Sequence, residues 1–486
     1  MIETIKHFEE VSVPVFERLE EQFMKNPTDI ASYVLSLTKE LHNLGLTMIR
    51  ETLETMDSII KDNVIRKEHW VVERTATKQL TTSLGDVCFK KTLYTNRTTN
   101  KSEFLLDRVV GLDKHERITE DALAKLLEET VQTSYRKGGN ECSLESSVTK
   151  QTVMNKLHSL EFPNEPVCLS KSRVEYLYID ADEDHISLQY RDHKGDLSSE
   201  NGYKNNCLIS KLIYVYEGIE NEAPHSKRHK LINPHYFSSV CDGKENEEFW
   251  DSVYEYIESH YDISYIKKIY LNSDGGAWIK SGMRRIANIT YALDEFHLEK
   301  YIIKLTSHML DSTDDARKEI YDCIRYGTKA EFIGIVERLK NCLPNEVGYK
   351  RLDESMNYIL SNWMPARARL RHIDGLKGCS AEGHISHILS SRMSSRPMGW
   401  SKIGAKKMSE LRAYYYNGGD MLELARYQKD ILPKVSGDEY NVLSASEVAI
   451  SINKTRNANA KYIESITHTI TGRGRQYLWL QENIHW

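Results

Sequence analysis

Acidic side chains close several of the apolar runs in this sequence, a placement that brings carboxylates to the edge of a sheet. Asp274 follows Ile269, Tyr270 and Leu271 and precedes Gly275 and Gly276. The apolar triplet has the residue types of a buried strand, so the carboxylate falls at that strand's C-terminal edge. Asp294 closes a second run, Ile289 to Leu293, with His297 three residues on. A third run, Val174 to Ile179, leads into Asp180, Asp182 and Asp184, two apart and hence on one side of an extended chain. Glu382 stands near the start of a helical stretch whose buried face would be Ile385, Ile388 and Leu389. Ligands of open α/β sheets gather outside the carboxyl ends of the strands. A hard divalent cation takes several oxygen ligands and one aspartate cannot hold it, so a metal site here would need further acids brought in from elsewhere in the chain.

Each of these residues has a plainer role open to it. Asp294 could cap the helix expected over Glu295 to Met309, and for Asp294 alone that is the more ordinary reading. Asp-Gly-Gly is usually a turn, and an acidic corner between two strands, Val174 to Tyr190, is usually solvated. Trp278 could stack on an unpaired base, with core packing an equal or better account. His384 and His387 could orient Glu382 or touch phosphate, although packed or solvated histidines are commoner, and no His-Cys spacing supports zinc.

The elements that would position these residues follow from periodicity. Residues 1–68 keep helical phase through Val15, Phe16, Leu19 and Phe23, then Ile30, Tyr33, Val34, Leu37, Leu41 and Leu44, with Pro14 and Pro27 at helix starts. From Trp70 the pattern alternates around turns at Leu84-Gly85-Asp86 and Asn96 to Asn100, a small antiparallel sheet over 69–115. Residues 116–165 read as two helical parts separated by Gly138, Gly139 and Asn140. The second part, capped by Ser146 or Ser147, puts Thr149, Lys150, Gln151 and Thr152 ahead of apolar Val153, Met154 and Leu157. Short polar side chains at a helix start suit the recognition helix of a helix-turn-helix, with Lys90, Lys91 and Arg97 of the sheet on backbone phosphates. After a linker at Pro163 to Leu169 come three strands (the third Cys207 to Glu217), a helix Glu247 to His260, a strand ending at Asp274, a helical piece and a strand ending at Asp294. From Tyr301 to about Asn362 the pattern is wholly helical.

Net charge is −6 over 486 residues, so no global field advertises nucleic acid. Ser361 to Gly419 nevertheless holds ten Lys or Arg against three Asp or Glu, and a local basic stripe binds phosphate whatever the total. Arg392 and Arg396, near Trp400, are the residues expected on DNA there. Eight scattered cysteines without a C-x-x-C pair indicate reduced, cytoplasmic thiols. No apolar run has the length of a membrane span, and the N-terminus reads as amphipathic helix, not signal peptide.

The order of strands and helices resembles the ribonuclease-H-like fold. The motifs YIDADEDHISLQ (178–189), YLNSDGGAWIK (270–280), LDEFHLEKYI (293–302) and GCSAEGHISHILSSRMSSRPMGWS (378–401) resemble, over nearly the whole chain, the DDE transposases of ISLre-type bacterial insertion sequences, relatives of the Mutator-like group. The resemblance implies a multidomain mixed protein: a helical and small β DNA-binding region, a ribonuclease-H-like core over 170–302 and 373–420, an all-helical insertion over 303–372, and a C-terminal region over 421–486. It implies that Asp182, or alternatively Asp180, joins Asp274 and Glu382 as catalytic acids on two Mg²⁺ or Mn²⁺ ions. Asp294 and His297 match the C/D-x-x-H signature of the Mutator-like relatives and, with Trp278, would handle the DNA strands. The partners implied are the double-stranded terminal inverted repeats and target DNA, met by a homo-oligomer on the nucleoid and not by a membrane protein. Two other classes fit the residues less well. A domesticated, catalytically inactive DNA-binding protein would not need all three acids. A glycoside hydrolase would leave the basic stripe unexplained and usually carries more than seven tryptophans in 486 residues.

Overall fold

At Trp70 the chain passes from helix to sheet, where the apolar period changes. The computed structural model describes residues 2–164, 170–189, 207–343, 348–372, 374–396 and 398–430; residues 165–169 of the expected linker, 190–206 and 431–486 lie outside them. Ahead of Trp70 are α1 (Ile2–His7), α2 (Val13–Lys25), α3 (Ile30–Asp62) and α4 (Val64–His69). Pro14 occupies the first turn of α2, where its missing N–H leaves no bond unmade. Strands β1 (Trp70–Thr81), β2 (Asp86–Asn96) and β3 (Ser102–Phe104) form an antiparallel sheet in that order. Leu46, Ile49, Leu53 and Met56 of α3 pack on it against Leu80, Val87, Phe89 and Tyr94.

Helices α5 (Leu105–Val110), α6 (Glu120–Thr130), α7 (Tyr135–Glu141) and α8 (Lys150–His158) follow. Gly138 and Gly139, expected to break the helical region, lie inside α7. Their role is close approach: a Cβ on Gly138 would stand 1.9 Å from Thr130 Oγ1, and one on Gly139 2.3 Å from the Val148 carbonyl. The cap of α8 is likewise not Ser146 or Ser147. Val148 N–H is committed to Gly139 O at 2.9 Å, so the helix starts later, with Thr149 Oγ1 accepting from Thr152 N–H at 3.3 Å.

The second region is built on β4 (Tyr176–Ser187), β5 (Cys207–Tyr216), a hairpin of β6 (Gly218–Asn221) and β7 (His229–Ile232), β8 (His235–Ser239), α9 (Glu245–His260), β9 (Lys268–Ser273), α10 (Ala277–Gly282) and β10 (Ile289–Leu293). Five strands form one sheet in the order β10-β9-β4-β5-β8. Strand β5 runs antiparallel to both its neighbours, β4 and β8, whereas β9 and β10 run parallel to β4. Two features differ from the sequence reading. No corner interrupts the acidic stretch, because β4 runs through it as one strand paired with β5 from Tyr178 to Ser187. The third strand of the antiparallel set, β8, lies between the strand expected over Cys207 to Glu217 and the helix expected from Glu247; five residues, HYFSS, are too short to register as a period.

Helices α11 (Glu295–Thr306), α12 (Thr313–Tyr326), α13 (Lys329–Asn341), α14 (Tyr349–Ser361) and α15 (Trp363–Leu370) come next. Their Ile320, Phe332, Val336 and Ile359 share a core with Leu271 and Leu293 of the sheet. Helix α16 (Ala381–Ile385) carries Glu382 and is followed by α17 (Ser391–Met393), α18 (Lys402–Tyr416) and α19 (Met421–Asp430). Helix α19 packs on α6, with Lys429 paired to Glu116 at 3.1 Å. The chain thus divides into one compact unit of Met1–Thr130, Ser134–Val153 and the segment from Met421, and another of Val131–Thr133 and Met154–Asp420. No described helix is long and apolar enough to cross a membrane.

Candidate active site

Register places the acids. In the parallel ladder between β4 and β9, Asp180 pairs with Asn272 and Ala181 with Ser273, so the next residues on the two strands are Asp182 and Asp274. In the ladder between β9 and β10, Ser273 pairs with Leu293, and the next residues are Asp274 and Asp294. Asp294 N–H extends that ladder by one bond, to Ser273 O at 2.8 Å. Three aspartates from three adjacent parallel strands therefore form one row just beyond the ladder, at the carboxyl edge where the sheet stops consuming polar groups.

Electrostatics tie this row to Glu382. Burial pushes the Asp182 carboxyl up to about 7. The negative charges of Asp274 and Glu382 push the same way, while Glu183 N–H, 2.8 Å from Oδ1, and His297 pull it back. Asp294 occupies the N-cap position of α11, and its carboxylate accepts from His297 Nδ1 at 2.8 Å. Burial would raise the Asp294 carboxyl, but the hydrogen bond and charge of His297, joined by the backbone N–H groups of Phe296 and His297, hold the group below its ordinary value. In return the Asp294 hydrogen bond raises the imidazole, helped by the charges of Asp294, Asp274 and Asp182. Asp274 is fixed through its backbone: its carbonyl accepts from Tyr358 OH at 2.5 Å, and Gly275 takes φ +93°, a conformation that favours glycine.

The structure thus brings Asp182, Asp274, Glu382, Asp294 and His297 into one electrostatic neighbourhood. Among the described residues, no three His, Cys, Asp or Glu side chains stand in geometry that closes around a metal ion. The donor set nonetheless fits a hard divalent cation: three carboxylates, one of which, Asp182, is raised first by burial and further by the charges of the other two, a cost that positive charge would relieve. Asp180, the other aspartate considered for this role, is fully buried, and its carboxylate is occupied by protein donors. Trp278 is in the core, its Nε1 donating to Glu183 Oε2 at 2.5 Å and its ring against Trp250, so it is not placed to stack on a base. His384 is packed against Tyr214, and burial lowers its imidazole to about 4.

The basic stretch divides. Arg392 is 5% exposed with its guanidinium 5.0 Å from the Trp400 ring centroid, a packing role and not a phosphate contact, whereas Arg396 is exposed beyond the end of α17. In the N-terminal unit Thr149, Lys150 and Gln151 are exposed and Thr152 half-buried, over buried Val153. Beside Thr149 and Thr152 runs an open groove of about 680 Å³, also lined by Lys78, Lys91, Lys114 and Arg117. Lys91 and Lys78 are buried around Asp107, so Lys91 is not available to a phosphate; Lys114 and Arg117 are exposed. Sequence reasoning missed Asn272 and Arg369, which lie beneath the acidic row. The signal for Asn272 was present: a polar residue two before Asp274, as Asp180 is two before Asp182.

The chain belongs to the family described as "Uncharacterised protein family (UPF0236)", whose model matches residues 23–430. Its relatives include a UPF0236 protein of Caldanaerobacter subterraneus subsp. tengcongensis, named for eleven loci, 34% identical over 448 residues, 92% of this chain and 90% of its own. A second protein of that organism, named for four loci, is 32% identical over 468 residues, 96% of this chain and 93% of its own.

Proposed function

We propose that this protein is a DDE transposase that cleaves and joins DNA strands at the ends of an insertion sequence. The observation that carries the reading is the row of Asp182, Asp274 and Asp294 across three parallel strands, with Glu382 close enough to raise Asp182. The strand order, with three antiparallel strands followed by two parallel to the first, supports a ribonuclease-H-like core, and α12 to α15 fall within the helical insertion over 303–372. Relatives named for eleven and for four loci in one organism suit a gene that copies itself.

Asp182, Asp274 and Glu382 would hold two Mg²⁺ or Mn²⁺ ions, which supply activation of the attacking oxygen and stabilisation of the leaving one. The hydrogen bond from His297 to Asp294 favours the protonated imidazole, which would offer positive charge to a phosphate beside the acids. Lys150 and Gln151 at the start of α8 face base edges of the terminal repeats, and Lys114 and Arg117 along the groove meet backbone phosphate. The protein works as a homo-oligomer on double-stranded DNA in the bacterial nucleoid.

The test is cleavage of a labelled transposon-end duplex in Mg²⁺ or Mn²⁺. Asp274→Asn and Glu382→Gln each remove a ligand charge at nearly constant shape, so both are expected to abolish cleavage with end binding nearly intact. A near wild-type rate from either variant removes that residue from the catalytic set. Equal inactivity of the wild-type chain, with end binding retained, favours instead a domesticated DNA-binding protein.

A further inference from the structure

Two residues before the acidic row, on the same face of the sheet, the side chains close into a buried polar network. The Asp180 carboxylate accepts four hydrogen bonds: from Tyr214 OH at 2.7 Å, Asn272 Nδ2 at 2.7 Å, Tyr216 OH at 3.1 Å and Ser380 N–H at 3.1 Å. Asn272 Oδ1 accepts from Arg369 at 2.5 Å, and Arg369 also donates to the carbonyls of Leu293 at 2.9 Å and Lys377 at 2.6 Å. Asp180 is 0% and Arg369 5% exposed. A buried charge persists only where its lone pairs and protons are met. Here an amide relays a carboxylate to a guanidinium, and the network joins β4, β5, β9, β10, α15 and the loop before α16.

Stabilising the sheet would be the ordinary use of such a network, but its outermost bond falls elsewhere. Ser380 is the N-cap residue of α16, two before Glu382, and it has no side-chain capping bond of its own. Its N–H goes to Asp180, and its Oγ lies 3.0 Å from Tyr214 OH. One turn on, His384 Nδ1 lies 3.2 Å from Tyr236 OH. The helix that carries Glu382 runs on from α16 through a π-helical turn, Ser386–Ser390, into α17, and Ser380 is where its N-terminal end is tied to the sheet.

We propose that Asp180, through Ser380 on one side and Asn272–Arg369 on the other, is a positioning residue that fixes the Glu382 carboxylate against the Asp182–Asp274 edge. It is not itself a ligand in that site. The consequence for cleavage rests on the transposase reading; the mechanical claim rests on the geometry alone.

The experiment compares full-length wild type, Asp180→Asn and Tyr214→Phe by amide hydrogen exchange and by Mn²⁺-dependent cleavage of the end duplex. Asp180→Asn is expected to speed exchange at residues 380–385 by about tenfold or more while α12 and α13 keep their protection. Tyr214→Phe, which leaves the carboxylate three partners, should show a smaller change in the same peptides and serves alone if Asp180→Asn does not fold. In cleavage, Asp180→Asn should lower kcat by about 10²-fold with KM for DNA unchanged, and raised Mn²⁺ should recover part of the loss. Unchanged exchange at 380–385 in both variants overturns the positioning role. An Asp180→Asn variant as inert as Glu382→Gln at every Mn²⁺ concentration overturns it too, marking Asp180 as a ligand. A wild-type chain inert toward every duplex sinks the functional reading, and the exchange comparison still decides the mechanical claim.

Discussion

A carboxyl held at about 7 by burial and by two neighbouring acids is a group whose charge the folded protein resists, and Asp182 is in that position. Its ordinary value is 3.8, so between about pH 4 and 7 the native state keeps a proton that the unfolded chain has shed. Stability from this group is therefore fully present below pH 4 and lost as pH rises through 7. In metal-free protein the melting temperature of wild type relative to Asp182→Asn should fall across that window. At pH 8, where the carboxylate is ionised, Mn²⁺ should raise the wild-type melting temperature and leave Asp182→Asn nearly unmoved. A pH-independent difference between the two would mean that Asp182 ionises freely. The neighbouring Asp294 shows how one position carries two readings. Its backbone is where a helix cap belongs, and its side chain is committed to His297.

Among the elements, α7 and α8 show what close packing demands. Gly139 lets α7 pass under the Val148 carbonyl, with Val153 Cγ2 only 3.2 Å from where a Cβ would sit. Gly139→Ala must push backbone aside, and a destabilisation of about 1–3 kcal/mol is expected from urea unfolding of the full chain. A shift within error would show that α8 is free to move. If α8 reads DNA, Gln151→Ala should narrow discrimination between terminal repeats and random duplex by about 1–3 kcal/mol. Arg117→Ala should instead weaken both alike and lower the salt dependence of binding, since it meets only phosphate. Competition gel shifts across a salt series separate the two outcomes.

Taken whole, the chain leaves its first compact unit, builds the five-stranded sheet and its helices, and comes back at Met421. Helix α19 buries Met421, Leu424 and Ala425, and Lys429 sits between Glu116 and Glu120 of the first unit. Residues 421–430 are thus part of the N-terminal unit and not of a separate C-terminal region. A chain ending at Asp420 should lose exchange protection in α6 while β4, β9 and β10 keep theirs. Loss in the five-stranded sheet instead would mean that the two units unfold together.

The elements that carry the acids were legible because strands with Ile, Leu and Tyr at their centre and a carboxylate at their end leave a local signature. β9 and β10 and their terminal Asp274 and Asp294 stand where periodicity puts them. Glu382 was legible only as an acid at a helix start. Three things belonged to the tertiary structure. The acidic stretch of β4 reads as a turn from composition, yet the ladder with β5 holds it straight, because cross-strand pairing outweighs local preference. Trp278 and Arg392 look like ligand-facing residues in sequence and are buried by partners that only folding brings to them. The register that aligns Asp182 with Asp274 across 92 residues of chain depends on how two strands slide past each other, and no local pattern encodes that offset. The different surroundings of Asp180 and Asp182 follow from it: alternate residues share a face, but the one inside the sheet finds four protein donors and the one at the edge finds two acids.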